Sequence, residues 1–280
     1  ASSTVVAWAN VSQRLRNMGK SASAKWEGGA TSVPRSRVEQ HLARYLESAR
    51  FKDYCPNGLQ VEGSPRVARV ACGVTASLAF IRAAVRAGAD TLLVHHGWFW
   101  RGEDPRMIGP RRERMALVLA NRLNLFAYHL PLDVHPEVGN NAQLGARLGW
   151  STAGRFGDEG LGCWHDLAEP QTVLQIAAGL GEALGQPPLV LGPQGRRIRR
   201  IAWCTGAAQD LLEQAVECGA DAFISGEASE RTTHLAREMG VTYFAAGHHA
   251  TERYGVQALG RHLMREFGIA QRFIDDPNPV

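Results

Sequence analysis

The chain has 280 residues, 45% apolar and 21% charged, with a formal charge of +4 and a sequence pI of about 9.0. That is the balance of a soluble globular protein with a useful core, and at about 100–200 residues per domain the length favours two domains. No apolar run approaches the roughly 18 residues of a membrane span. The five cysteines, Cys55, Cys72, Cys163, Cys204 and Cys218, form no CxxC pair, which argues against a disulfide scaffold or a thiolate zinc site and for a reducing cytoplasm.

Residues 1–33 carry Ser, Ala, Lys and Arg with a single acid, Glu27. The stretch is expected to be an N-terminal extension, flexible and transit-peptide-like in composition only. The basic excess sits there, at Arg14, Arg16, Lys20 and Lys25, and in Arg196, Arg197, Arg199 and Arg200. Both groups read as solvated charge, so a nucleic-acid partner is weakly supported.

From about residue 36, strand-like and helix-like stretches alternate. Asp53-Tyr-Cys-Pro-Asn57-Gly58-Leu-Gln60 is a turn signal with polar side chains, and Asn57 and Gln60 are candidates to read a ligand edge. Val67–Val74 predicts a strand, Ser77–Ala87 a helix closed by Gly88, and Thr91–Val94 a second buried strand ending in His95-His96. A Gly- and Pro-containing loop, Gly97–Pro110, opens on Trp98-Phe99-Trp100-Arg101. These aromatics with their arginine suit either a stacked ligand or an oligomer contact. A helix over Arg112–Leu123 and a strand over Leu125–Tyr128 lead to His129-Leu-Pro-Leu-Asp133, where Pro131 disfavours a regular helix. Gly139-Asn-Asn141 reads as a turn into a helix over Ala142–Leu148.

The pattern returns 131 residues on. Val70-Ala71 matches Ile201-Ala202, Ala84-Val85 matches Ala215-Val216, and Gly88-Ala89-Asp90 matches Gly219-Ala220-Asp221. Thr91–Val94 then matches Ala222–Ser225, and a helix over Thr232–Met239 leads to a strand over Val241–Ala245. The expectation is an α/β fold of two similar α/β domains with mostly parallel sheets. The first spans 34–150 and the second 151–280, with 247–280 packing back on the first.

Function concentrates at strand ends. His95-His96 closes a strand in the first unit, and Gly226-Glu227 closes its match. After the next strand stand His129 and Asp133 in one unit and His248 and Glu252 in the other, each a histidine followed four positions later by a carboxylate. In open α/β sheets, sites form beyond the carboxyl ends of strands. On a helix, an i, i+4 pair shares a face. Taken singly, each pair is as readily a hydrogen bond or a cap. Together they suit a dinuclear centre bridged by a carboxylate, with open positions for water and metal-assisted hydrolysis as the reaction class. Imidazole and carboxylate ligands accept zinc, iron, manganese or nickel. His129 is a candidate general acid or base, or a partner that orients a ligand.

The stretches Asp53-Tyr-Cys-Pro-Asn-Gly-Leu-Gln-Val-Glu-Gly63, Gly73-Val-Thr-Ala-Ser77, His95-His-Gly-Trp-Phe-Trp100, His129-Leu-Pro-Leu-Asp133, Gly139-Asn-Asn141 and Gly247-His-His-Ala-Thr-Glu252 resemble the Nif-three-like dinuclear-metal-centre family. Bacterial members of that family carry the name type 2 GTP cyclohydrolase 1 homologue. The resemblance runs from about residue 36 to 276 and is close to the short enterobacterial form. It implies a metal site in the cleft between the two domains, holding two divalent ions on His95, His96, Asp133, His248 and Glu252, with Glu252 bridging. It also implies a toroidal homohexamer, a trimer of dimers. His129 and Glu227 fit the motifs and carry over only as cleft residues; the residue chemistry, not the resemblance, makes His129 the catalytic candidate and puts Asn57, Gln60, Trp98 and Arg101 beside Glu227 as candidates to bind substrate. The name implies a metal-dependent hydrolase, with GTP ring opening and formate release, yet no P-loop or triphosphate cradle is visible. Two other readings stand beside it: a non-enzymatic metal-storage or metal-delivery protein, and a ring that binds nucleic acid.

Overall fold

The computed structural model describes residues 25–29 and 31–280; the basic positions Arg14, Arg16 and Lys20 lie outside them. Elements follow in chain order: β1 (Val33–Pro34), α1 (Arg35–Tyr45), β2 (Gly58–Val61), β3 (Arg66–Val67), β4 (Arg69–Thr75), α2 (Leu78–Ala87), β5 (Thr91–His96), α3 (Gly109–Ala120), β6 (Asn124–Ala127), α4 (Leu130–Val134) and α5 (Asn140–Arg147). A second series comprises β7 (Gly154–Phe156), β8 (Gly162–Thr172), α6 (Val173–Leu184), β9 (Leu189–Leu191), β10 (Arg197–Trp203), α7 (Leu212–Glu217), β11 (Ala222–Ser225), α8 (Glu230–Glu238) and β12 (Thr242–Ala245). A long helix, α9 (His248–Phe267), and a last strand, β13 (Ala270–Phe273), close the chain.

The first sheet has the order β13-β4-β5-β6-β2. Its first four strands run parallel and β2 is an antiparallel edge. The second has the order β7-β8-β10-β11-β12-β9. Here β10, β11 and β12 are parallel, and β8, β7 and β9 add antiparallel flanks. The fold is therefore α/β with two related units. No described helix is long and apolar enough to cross a membrane.

Local chemistry explains the repeat. Ser77 caps α2 by accepting the Phe80 N–H at 3.1 Å, and Gly88, at φ +76°, closes it in the left-handed region. Two residues further on, Asp90 accepts the backbone N–H groups of Ala68 (3.0 Å) and Arg69 (2.9 Å). Asp221 does the same for Arg199 (2.8 Å) and Arg200 (3.1 Å). In each unit, then, an aspartate opening one parallel strand clamps the start of its neighbour, which fixes the register. Replacing either by alanine strands two amides, so Asp90→Ala and Asp221→Ala are each expected to cost about 1–3 kcal/mol. Chemical denaturation measures this, and an unchanged midpoint in both variants would refute the clamp.

One expectation is corrected. The segment after His129 is helical despite Pro131, because the proline lies in the first turn of α4, where its missing N–H has no partner to lose. The described part of the extension also makes contacts. Glu27 bridges to Gln271 on β13, and the Trp26 indole N–H donates to the Ala87 carbonyl at 3.2 Å.

Helix α9 ties the two units together. Val256, Leu259, Leu263 and Phe267 join the core that covers β4. Ala250 and Tyr254 belong to the core of the second sheet. Fully burying side chains of this size favours folding by about 1.5–3 kcal/mol each. The helix is thus anchored at both ends, and its N-terminus is fixed beyond the end of β5.

Candidate metal centre

Three elements deliver the cluster. Strand β5 ends in His95 and His96, α4 carries Asp133, and the first turns of α9 carry His248 and Glu252. The chain turns at Gly97, so the two adjacent histidines converge, with ring centroids 4.5 Å apart. Glu252, 3% exposed, stands between two sets of ligands. Its Oε1 lies 3.4 Å from His95 Nε2, which is itself 3.4 Å from Asp133 Oδ1. Its Oε2 lies 3.2 Å from His96 Nε2 and 3.1 Å from His248 Nε2. His95, Asp133 and Glu252 form one group whose donor atoms all fall within 4.8 Å of one another, and His96, His248 and Glu252 form another.

Each imidazole is oriented from behind. His95 Nδ1 donates to the Tyr128 carbonyl at 2.9 Å. His96 Nδ1 meets Thr75 Oγ1 at 3.2 Å, and His248 Nδ1 meets Glu227 Oε1 at 2.6 Å. All three Nε2 atoms are therefore turned inward, the arrangement by which outer partners fix the tautomer of a ligand.

The charges are strongly coupled. Burial presses His95 toward neutrality, but Asp133 and Glu252 outweigh it and hold its pKa up to about 10. Burial takes His96 down to about 4, against the pull of Glu252. For His248 burial is outweighed by Glu252 and Glu227, and its pKa rises to about 9. Burial raises Asp133, whereas in Glu252 the histidines overcome burial and hold it well below the carboxylate range.

The residues fit divalent cations on three counts. Nitrogen and carboxylate donors converge without a thiolate, a set suited to first-row metals. Glu252 Oε2 is buried and, among the described residues, makes no well-aligned hydrogen bond, although the Nε2 atoms of His96 and His248 lie 3.2 and 3.1 Å away. Gly206, at φ +72°, leaves open the space beside Glu252 that a Cβ would fill, 2.1 Å from Oε1. Cys55 stands near His129 and Asp53, and burial pushes its thiol up to about 12.

His129 borders the cluster, its ring 5.2 Å from that of His95 and 5.9 Å from that of His96. Asp53, a residue the sequence reading left without a role, organises it. Asp53 Oδ1 accepts His129 Nδ1 at 2.7 Å. Oδ2 accepts the N–H of Leu130 at 2.9 Å and the amide of Asn57 at 2.8 Å. Burial opposes this charge, but the bonds from His129 and Asn57 hold Asp53 down to about 2.

The amide candidates have a different job. Asn57 accepts the His129 N–H at 2.8 Å and donates to Asp53. Gln60 accepts the Trp98 N–H at 2.7 Å and donates to the carbonyls of Pro56 and Trp98. Both are committed to fastening loops beside the site rather than presenting a free edge to a ligand. Arg101 donates to the Asp53 carbonyl at 2.9 Å. The arginines lining the cavity beside His96 are instead Arg111 and Arg114. Trp98 lines that cavity with its indole N–H on the Ala76 carbonyl, while Trp100 stands edge-on to His129 at 4.9 Å.

Asn140 and Asn141 are more than a turn. Asn140, fully buried, donates to Asp133 Oδ1 at 2.8 Å and accepts the Gly255 N–H of α9 at 3.1 Å. Asn141 accepts the Thr205 N–H at 3.0 Å. In the arginine cluster, Arg196 pairs with Asp221 and Arg200 with Asp166, so half of it is neutralised internally.

Residues 33–279 match the family model described as Duf34/NIF3 (NGG1p interacting factor 3). A Pseudomonas aeruginosa protein named "GTP cyclohydrolase 1 type 2 homolog" is 51% identical over 252 residues, covering 89% of this chain and all of that protein. The solved structure of protein ybgI, described as of unknown function, superposes with a TM-score of 0.85 at 47% identity, over 89% of this chain and all of that one. TTHA1606 from Thermus thermophilus superposes with a TM-score of 0.81 at 34% identity, again over 89% of this chain and all of that one. By sequence and by fold, the chain belongs to the Duf34/NIF3 family.

Proposed function

We propose that the chain is a dinuclear metal protein and a metal-dependent hydrolase acting on a nucleotide or related small molecule. The observation that carries this reading is the carboxylate of Glu252, whose two oxygens face two separate ligand sets, His95 with Asp133 and His96 with His248. Bound divalent cations would supply Lewis acidity and lower the pKa of water that they hold. The five residues named above would hold the ions. The protein's own contribution is orientation and proton transfer. With Nδ1 held by Asp53, His129 turns its other nitrogen toward the cluster. A base oriented by a carboxylate in this way can take a proton from a nucleophile and return it to a leaving group. The relatives' name, "GTP cyclohydrolase 1 type 2 homolog", makes GTP a natural first compound in a substrate panel.

The test is turnover of a nucleotide panel by native and chelator-treated protein, with His129→Gln in parallel. Metal-dependent turnover is expected, falling about 10²–10⁴-fold in the variant while its metal content is kept. Absence of turnover across the panel by fully metal-loaded protein would overturn the hydrolase reading and leave metal storage or delivery as the role.

A further inference from the structure

We infer that the cavity beside His96 binds a flat aromatic or heteroaromatic ring carrying one negative charge. The inference rests on the hydrolase reading above, because His96 belongs both to the cavity wall and to the candidate metal centre.

Shape comes first. The cavity measures about 320 Å³ and lies between the loop after β5 and the face of α3. That is the lower end of the range for small-ligand sites, about 300–1,000 Å³. Trp98, Phe99 and Trp100 supply ring surfaces, and Met107 and Met115 supply polarizable sulfur, all suited to a planar π-system. Phe99 holds φ at +66°, a left-handed conformation that bulky residues rarely adopt. A strained residue in a ligand wall is the pattern of a binding loop.

Charge comes second. Glu103 pairs with Arg111 at 2.8 Å, and Asp104 pairs with Arg106 at 2.6 Å. Arg114 also lines the cavity and takes no part in either of these ion pairs. Its Nε is buried without a partner. A guanidinium left this way is incomplete, and its planar fork matches a carboxylate or similar two-oxygen anion. With Glu103 paired to Arg111 and Asp104 paired to Arg106, which lies off the wall, Arg114 is left to complement one negative charge.

His96 and Arg114 both line this cavity. A ring whose anionic group is held by Arg114 can therefore expose another edge to the centre, and the arginine sets which bond is presented.

The experiment compares 2-naphthoate with its neutral analogue 2-naphthamide by titration calorimetry. It uses the full chain as purified and again after chelation, when no carboxylate can ligate an ion. The acid is expected to bind at least tenfold more tightly than the amide in both states. Arg114→Met should abolish that preference, and Phe99→Ala should weaken both probes alike. Equal affinity for acid and amide, or a preference that survives Arg114→Met, overturns the inference. Because the chelated protein reports the cavity alone while elemental analysis reports the centre, failure of one is distinguishable from failure of the other.

Discussion

Glu252→Ala protein is expected to purify without either metal ion, whereas His248→Ala is expected to keep one. The asymmetry follows from the geometry. Glu252 gives one oxygen to the side of His95 and Asp133 and the other to the side of His96 and His248. Its loss leaves two protein ligands on each side. Removing His248 leaves His95, Asp133 and Glu252 intact on theirs. Changing a group that merely supports a ligand weakens metal affinity about 10–100-fold, and deleting a ligand shared by both sets should do more. Elemental analysis after gel filtration reads the stoichiometry directly. A full complement of metal in Glu252→Ala would sink the shared-carboxylate arrangement, and equal loss of both ions in His248→Ala would show that the two sets are not separable.

The second large effect is expected at a glycine. Gly206→Ala should lose metal binding and also stability. A Cβ there would stand 2.1 Å from Glu252 Oε1 and 3.3 Å from His248 Nε2, on a residue whose φ is +72°. Neither strain is easily relieved, because Glu252 is buried on a helix anchored in both cores. Left-handed backbone at a non-glycine residue and local overpacking each cost about 1–3 kcal/mol. For a chain of this size that corresponds to a loss of several degrees in Tm. Gly195→Ala is the control, since a Cβ there meets nothing within 4 Å. Thermal unfolding and metal content measured together decide the matter: Gly206→Ala with normal Tm and full metal would mean that Glu252 has room the structure does not show.

The two aspartate clamps show how far sequence reading can reach. Gly88-Ala89-Asp90 and Gly219-Ala220-Asp221 are local signals, and their chemistry, a left-handed helix end followed by a carboxylate that accepts two amides, acts within a few residues and one neighbouring strand. Such features survive in the linear order, so the paired units and the histidines at strand ends were legible there. Pro131 misled because a proline's effect depends on its position in a helix, and α4 begins one residue before it.

The sequence by itself determined the α/β repeat and the histidines and carboxylates at its strand ends, because strand period, helix closure and motif spacing are short-range properties of the chain, while the family resemblance singled out the five that gather at the candidate centre. Only the tertiary structure decided what surrounds them. Asp53 holds His129, Asn140 joins Asp133 to α9, Gly206 makes room for Glu252, and Asn57 and Gln60 fasten loops. Those assignments depend on which distant segments are brought together when α9 packs across both cores, and on which polar groups burial then leaves to find partners.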